Sequence, residues 1–125
     1  MTFIGLRTII YHVSDLDAAK RWYTLATGVE PYFDEPYYVG YNIGGFELGL
    51  DASPNSGKSG TGGTTAYWAV ANAEEAIASL VGAGATLKSP ATDVGEGIQV
   101  GSVLDPFGNE LGVIENPHFK LEDVR

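Results

Sequence analysis

The stretch Thr8-Ile-Ile-Tyr-His-Val-Ser-Asp-Leu-Asp-Ala-Ala returns in altered form 57 positions later as Thr65-Ala-Tyr-Trp-Ala-Val-Ala-Asn-Ala-Glu-Glu-Ala. Each passage has a matching close, Gly45-Phe-Glu-Leu-Gly-Leu in one case and Gly108-Asn-Glu-Leu-Gly-Val in the other. A chain that repeats itself in this way is expected to fold as two similar half-units, with equivalent positions of the copies open to comparison.

The local pattern gives each copy the same element order. Thr8 to Val13 is an apolar, β-branched and aromatic run of strand length. Ser14-Asp-Leu-Asp17 follows with the spacing of a capping box, so a helix opens there. Leu16, Ala19, Tyr23 and Ala26, with Trp22 beside them, give that helix its apolar stripe, and Gly28 its left-handed stop. Strands are expected over 30–33, 37–43 and 46–51, separated by Asp34-Glu-Pro and Gly44-Gly. The first unit is therefore β-α-β-β-β, over about 6–51.

Residues 52–63, rich in glycine, serine and threonine, read as a flexible joint. The second unit, about 64–117, runs through a strand at 65–70 and a helix opened by Asn72-Ala-Glu-Glu75. That helix carries Ala76, Ile77, Leu80 and Val81 and ends at Gly84. Strands near 85–88, 98–105 and 110–115 follow, with Asp105-Pro-Phe-Gly-Asn as a tight turn. Beyond Asn116-Pro the charged tail, with His118, is expected to be loosely held.

Composition narrows the function classes. The length of 125 residues and an apolar share of 44% suit one domain with its own core. Without cysteine there is no disulfide, no thiolate metal site and no cysteine nucleophile. A net charge of −9 argues against nucleic acid as a partner. No apolar run spans a membrane, and the opening Met1-Thr-Phe-Ile-Gly-Leu-Arg lacks signal-peptide character, so a cytoplasmic protein is expected. Gly57-Lys-Ser-Gly-Thr lacks Walker spacing, and no serine stands at a nucleophile elbow.

The paired β-α-β-β-β units, the Val13-Ser-Asp-Leu-Asp17 junction and Asp105-Pro-Phe-Gly-Asn-Glu-Leu before the last strand resemble the vicinal oxygen chelate superfamily. That group includes glyoxalase I, extradiol dioxygenases and bleomycin-resistance proteins. The likeness covers Leu6 to Phe119. It implies an α+β fold in which the two units form a curved mixed sheet around a cup, with the helices outside. Strand alternation then turns Thr8, Ile10 and His12 into the cup and Ile9, Tyr11 and Val13 toward the helix. On the partner strand Thr65, Tyr67 and Ala69 look in, while Ala66, Trp68 and Val70 pack outward.

The resemblance also implies four positions at which family enzymes hold a divalent metal. Counting from the motifs puts Thr8 and Thr65 at the first-strand positions and Gly112 at one last-strand position. For the other, the repeat aligns Glu47-Leu-Gly-Leu with Glu110-Leu-Gly-Val and selects Gly49, so that threonine faces glycine in both copies. A match to the Glu-Leu ending of metal-binding members selects Glu47 instead. No metal site is expected, since a divalent ion needs three or more protein ligands.

The candidate ligand-binding residues are thus Thr8, Ile10, His12, Tyr41, Glu47, Gly49, Thr65, Tyr67 and Gly112. His12 is a candidate proton shuttle, and Glu47 or Glu110 a candidate base. Tyr37, Tyr38 and Tyr41, with Phe33 and Phe46, supply rings to line or roof the cavity, and Gly49 and Gly112 widen its floor. Gly95-Glu-Gly97 and Gly101 suggest a bent hairpin.

Three functions fit these residues. The first is a metal-free protein of bleomycin-resistance type that binds a small aromatic or cationic molecule. The second is a lyase, isomerase or dioxygenase-type enzyme that uses a divalent metal or His12 as general acid and base. The third is a non-catalytic dimer module. By analogy with the family a homodimer is expected.

Overall fold

The computed structural model describes residues 3–53 and 62–120. Pro54 to Thr61, the greater part of the expected joint, lie outside the described residues, as does the Gly57-Lys-Ser-Gly-Thr stretch. The elements run β1 (Gly5–His12), α1 (Leu16–Thr27), β2 (Phe33–Glu35), β3 (Tyr38–Ile43), β4 (Phe46–Asp51), β5 (Thr64–Ala69), α2 (Ala73–Gly82), β6 (Thr86–Asp93), β7 (Gln99–Leu104) and β8 (Glu110–Glu115). This is the doubled β-α-β-β-β order in an α+β fold. The chain divides into two compact units, residues 8–65 and residues 66–120 with 3–7.

In the 8–65 unit the strand order is β2-β3-β4-β1. β1 runs parallel to β4, and β3 is antiparallel to both β2 and β4, so the sheet is mixed. Helix α1 starts because the Asp15 side chain accepts the Ala18 N–H, so Asp15 rather than Ser14 is the cap. Gly28, at φ 70°, ends the helix and returns its N–H to Thr24. Leu16, Ala19 and Tyr23 bring the apolar stripe onto Val39, Tyr41, Leu48 and Leu50 of the sheet. Ala26, Trp22 and Leu25 stay exposed, so the stripe is narrower than the sequence pattern.

Strand β2 forms later than expected. Phe33 pairs with Gly40, Asp34 with Val39 and Glu35 with Tyr38, and the turn falls on Pro36-Tyr37. Asp34 gains a second tie in its ion pair with Lys20 of α1.

In the other unit the strand order is β5-β8-β7-β6, again with one parallel pair, β5 with β8. The Asn72 side chain caps α2 by accepting the Glu75 N–H, as its spacing predicts. Ala73, Ala76, Ile77 and Leu80 then pack on Val70, Val103 and Val113. Gly101 is explained here: a Cβ would lie 2.5 Å from Ile77 Cδ1, so the glycine admits the helix to the sheet. The longer β6 tolerates Pro90 because it is an edge strand with register shifts against β7. Gly95, Glu96 and Gly97 all have positive φ and turn the chain between these strands.

Asp105 braces the turn before β8 by accepting the Phe107 and Asn109 N–H groups, and these bonds with the Asn109 side chain hold its carboxyl below the usual range. Of the charged tail, residues 121–125 lie outside the described residues, and the part before them makes two contacts. Phe119 lies 3.4 Å under the Arg7 guanidinium, and His118 Nε2 is 2.8 Å from the Glu96 carbonyl.

Candidate functional site

Alternation sorts the 8–65 sheet into two faces. Val39, Tyr41, Leu48 and Leu50 face α1, so Tyr38, Gly40, Glu47, Gly49 and Asp51 share the opposite, helix-free face. From β1, Thr8, Ile10 and His12 join them by pairing with Glu47, Gly49 and Asp51. Tyr11 points the other way, its ring 5.9 Å from Tyr23 on α1.

This register corrects one expectation. Thr8 stands beside Glu47, not Gly49, because the parallel ladder sets Ile10 against Gly49 and Tyr67 against Gly112. The glycines do not widen a floor either. A Cβ at Gly49 would overlap the Tyr38 hydroxyl, and one at Gly112 would come 2.6 Å from Tyr67 Cδ1. Each glycine makes room for a tyrosine ring.

Glu47 is the centre of the helix-free face. Its Oε1 accepts the Thr8 hydroxyl at 2.9 Å, and its Oε2 accepts the Tyr32 hydroxyl at 2.5 Å. Tyr32 is 63% exposed as a whole residue, yet its hydroxyl is turned in against the carboxylate. The half-buried Tyr38 lies in the same group, and its ring meets Phe33 edge-on at 5.9 Å. Desolvation, and after it the Glu47 charge, push both phenols well above the ordinary tyrosine value. Both therefore stay protonated, and Tyr32 serves as a donor to Glu47.

Gly40 allows the convergence. A Cβ there would lie 2.7 Å from Glu47 Oε2 and 3.4 Å from the rings of both Tyr32 and Tyr38. One carboxylate oxygen and two aromatic rings thus surround a single point on the sheet.

The repeat of this carboxylate behaves differently. Glu110, which the sequence aligns with Glu47, receives a cation from its own unit, Lys88 Nζ at 2.8 Å. Among the described residues Glu47 makes no ion pair; its hydrogen-bond partners there are hydroxyls.

His12 is only 8% exposed. Its Nε2 lies 3.4 Å from the hydroxyl of buried Thr65, and its Nδ1 has no hydrogen-bond partner among the described residues. Tyr41 is not on this face at all. It is fully buried under α1, where its hydroxyl donates to the Lys20 carbonyl and lies 2.9 Å from Thr24 Oγ1. Phe46 and Tyr37 are exposed.

Tyr32 and Gly40 escaped the sequence reading. The signal for Gly40 was its place inside a Tyr-Val-Gly-Tyr strand, where a glycine marks close approach by another group. Tyr32 gave no comparable sign, since it precedes β2 and reaches the site through its N–H bond to the Gly40 carbonyl.

The residues present do not fit a divalent metal. Among the described residues no three His, Cys, Asp or Glu side chains come together, so Glu47 lacks the further ligands a divalent ion needs. A separate open groove, bordered by Lys20, Arg21, Leu25 and Glu30, runs along α1 away from this face.

Known structures share the fold at low identity. A methylmalonyl-CoA epimerase of Streptomyces coelicolor, in complex with 2-nitronate-propionyl-CoA, superposes with a TM-score of 0.73 at 16% identity, covering 95% of this chain and 99% of its own. A glyoxalase/bleomycin resistance protein/dioxygenase superfamily member from Vibrio splendidus 12B01 gives 0.64 at 15%, covering 89% and 99%. The Mn(II)-bound glyoxalase of Novosphingobium aromaticivorans gives 0.65 at 18%, covering 90% of this chain and 39% of that one. Comparison with curated proteins gives no match. The family model described as Glyoxalase/Bleomycin resistance protein/Dioxygenase superfamily matches residues 5–113, and the chain belongs to that superfamily.

Proposed function

We propose that the chain binds a small organic molecule on the helix-free face of its 8–65 unit, without a divalent metal, in the manner of a bleomycin-resistance-type binding protein. The observation that carries this reading is Glu47, a carboxylate with a hydroxyl on each oxygen, set among the rings of Tyr32, Tyr38 and Phe33. Aromatic surface with one fixed polar anchor is the composition of a small-molecule site. Ile10 and Thr8 complete its inner side.

Thermal-shift measurement against a panel of aromatic and cationic compounds tests the proposal. A ligand present at about 100 times its dissociation constant should stabilise the fold by about 2.7 kcal/mol. Titration with Zn²⁺, Ni²⁺, Mn²⁺ and Fe²⁺ is the counter-test. Stoichiometric metal binding at micromolar affinity, lost on Glu47→Gln, would overturn the metal-free reading.

A second reading rests on His12, whose buried Nδ1, without a partner among the described residues, suits a proton carrier in a lyase or isomerase. It requires that a substrate carbonyl or α-proton reach that nitrogen. Solvent-deuterium exchange into a bound carbonyl compound, abolished by His12→Gln, would favour it over binding alone.

A further inference from the structure

We infer that the ligand of the Glu47 site is an organic cation that donates no hydrogen bonds, a quaternary ammonium or a comparably delocalised charge. The inference rests on the small-molecule reading given above and adds the chemical class of the guest.

Three features of the site carry it. The first is charge: among the described residues no cationic side chain pairs with Glu47, whereas its repeat Glu110 has Lys88 at 2.8 Å. A carboxylate left with hydroxyl partners alone keeps its negative potential available to a guest. The second is the state of its oxygens. Thr8 already donates to Oε1 and Tyr32 to Oε2. A primary ammonium brings three hydrogens, but of the roughly four acceptor sites on a carboxylate two are already taken, so Glu47 cannot satisfy all three. A quaternary nitrogen brings none and is drawn by field alone. The third is the ring surface. Tyr32 and Tyr38 converge with the carboxylate above Gly40, and Phe33 meets Tyr38 edge-on. Ring faces beside a carboxylate attract cations through the quadrupole as well as the charge.

The three features also separate this site from a generic acidic patch. Lys20 neutralises Asp34 on the same unit, so the surface is not uniformly anionic. Glu47 is held by hydroxyls from two different segments, Thr8 on β1 and Tyr32 before β2, with the Tyr38 ring of β3 close by over Gly40.

The test is isothermal titration of the full chain with three probes of similar shape: benzyltrimethylammonium, benzylammonium and neutral benzyl alcohol. The quaternary probe is expected to bind about tenfold or more tightly than either of the others, a difference in the range of desolvated cation–π recognition. Glu47→Gln is expected to remove that preference while leaving the circular dichroism spectrum unchanged. Gly40→Ala, whose Cβ would press on the Glu47 carboxylate, is expected to weaken the quaternary probe alone. Equal binding of the alcohol and the quaternary probe would overturn the inference while leaving the small-molecule reading standing. Absence of binding by all three would overturn both. If Glu47→Gln fails to fold, the order of the three probes on the unaltered chain decides the matter by itself.

Discussion

Thr8 Oγ1 donates to Glu47 Oε1 at 2.9 Å across the parallel ladder between β1 and β4. The bond joins a buried hydroxyl to a half-buried carboxylate, so its loss leaves an acceptor short of a partner where water has restricted access. Thr8→Val keeps the shape and removes the hydroxyl. A destabilisation of about 1.5 kcal/mol is expected, in line with hydrogen bonds to charged groups. Urea unfolding measures it as a lower midpoint at unchanged slope. An unshifted midpoint would show that the bond contributes nothing.

The Tyr32 and Tyr38 phenols are raised above their ordinary value, chiefly by desolvation and next by the Glu47 charge. A raised folded-state value means that the folded chain holds protons the unfolded chain releases. Their contribution to stability is therefore full below about pH 10 and is lost as pH climbs beyond it. Tyrosinate absorbance at about pH 11 should show at least two phenols still protonated in the folded chain. Tyr38→Phe should lessen the alkaline loss of stability. All seven tyrosines titrating together near pH 10 before unfolding would contradict this account.

Gly49 and Gly112 accommodate the rings of Tyr38 and Tyr67. Alanine at either position is expected to cost about 1–3 kcal/mol, as overpacking does. The cause is specific, so Gly49→Ala should cost much less in a Tyr38→Ala background, and Gly112→Ala much less with Tyr67→Ala. Equal costs in both backgrounds, read by denaturant midpoints in a double-mutant cycle, would place the strain elsewhere.

Asp15 caps α1 through its bond to the Ala18 N–H, and Ser14 does not. Asp15→Ala should therefore lower stability by about 1 kcal/mol, whereas Ser14→Ala should stay within about 0.5 kcal/mol. Thermal midpoints of the two variants separate the roles. A larger effect at Ser14 would restore the capping box that the sequence spacing suggested.

The fold was legible where period and punctuation agreed. Asn72, Gly28 and the alternation of Thr8, Ile10 and His12 each follow from a local rule that packing leaves intact. Strand β2 was misplaced because its three pairs depend on β3, not on its own residues. The site was less legible for a related reason. Repeat alignment gives which residues correspond between copies, but it does not give which residues pair within a copy. That pairing is set by the parallel ladder, and it put Glu47 next to Thr8. Tyr38 and Tyr41 were grouped as cavity rings, although three residues apart on a strand places them on opposite faces. The structure follows the alternation, with Tyr38 beside Glu47 and Tyr41 beneath α1.

Backbone amide chemical-shift mapping during titration with benzyltrimethylammonium tests the central claim most directly. Saturable shifts centred on Thr8, Tyr32, Gly40, Glu47 and Gly49 are expected, lost in Glu47→Gln at ligand concentrations that saturate the unaltered chain. Shifts centred on the α1 groove at Lys20, Arg21 and Leu25, or shifts that persist in Glu47→Gln, would contradict it.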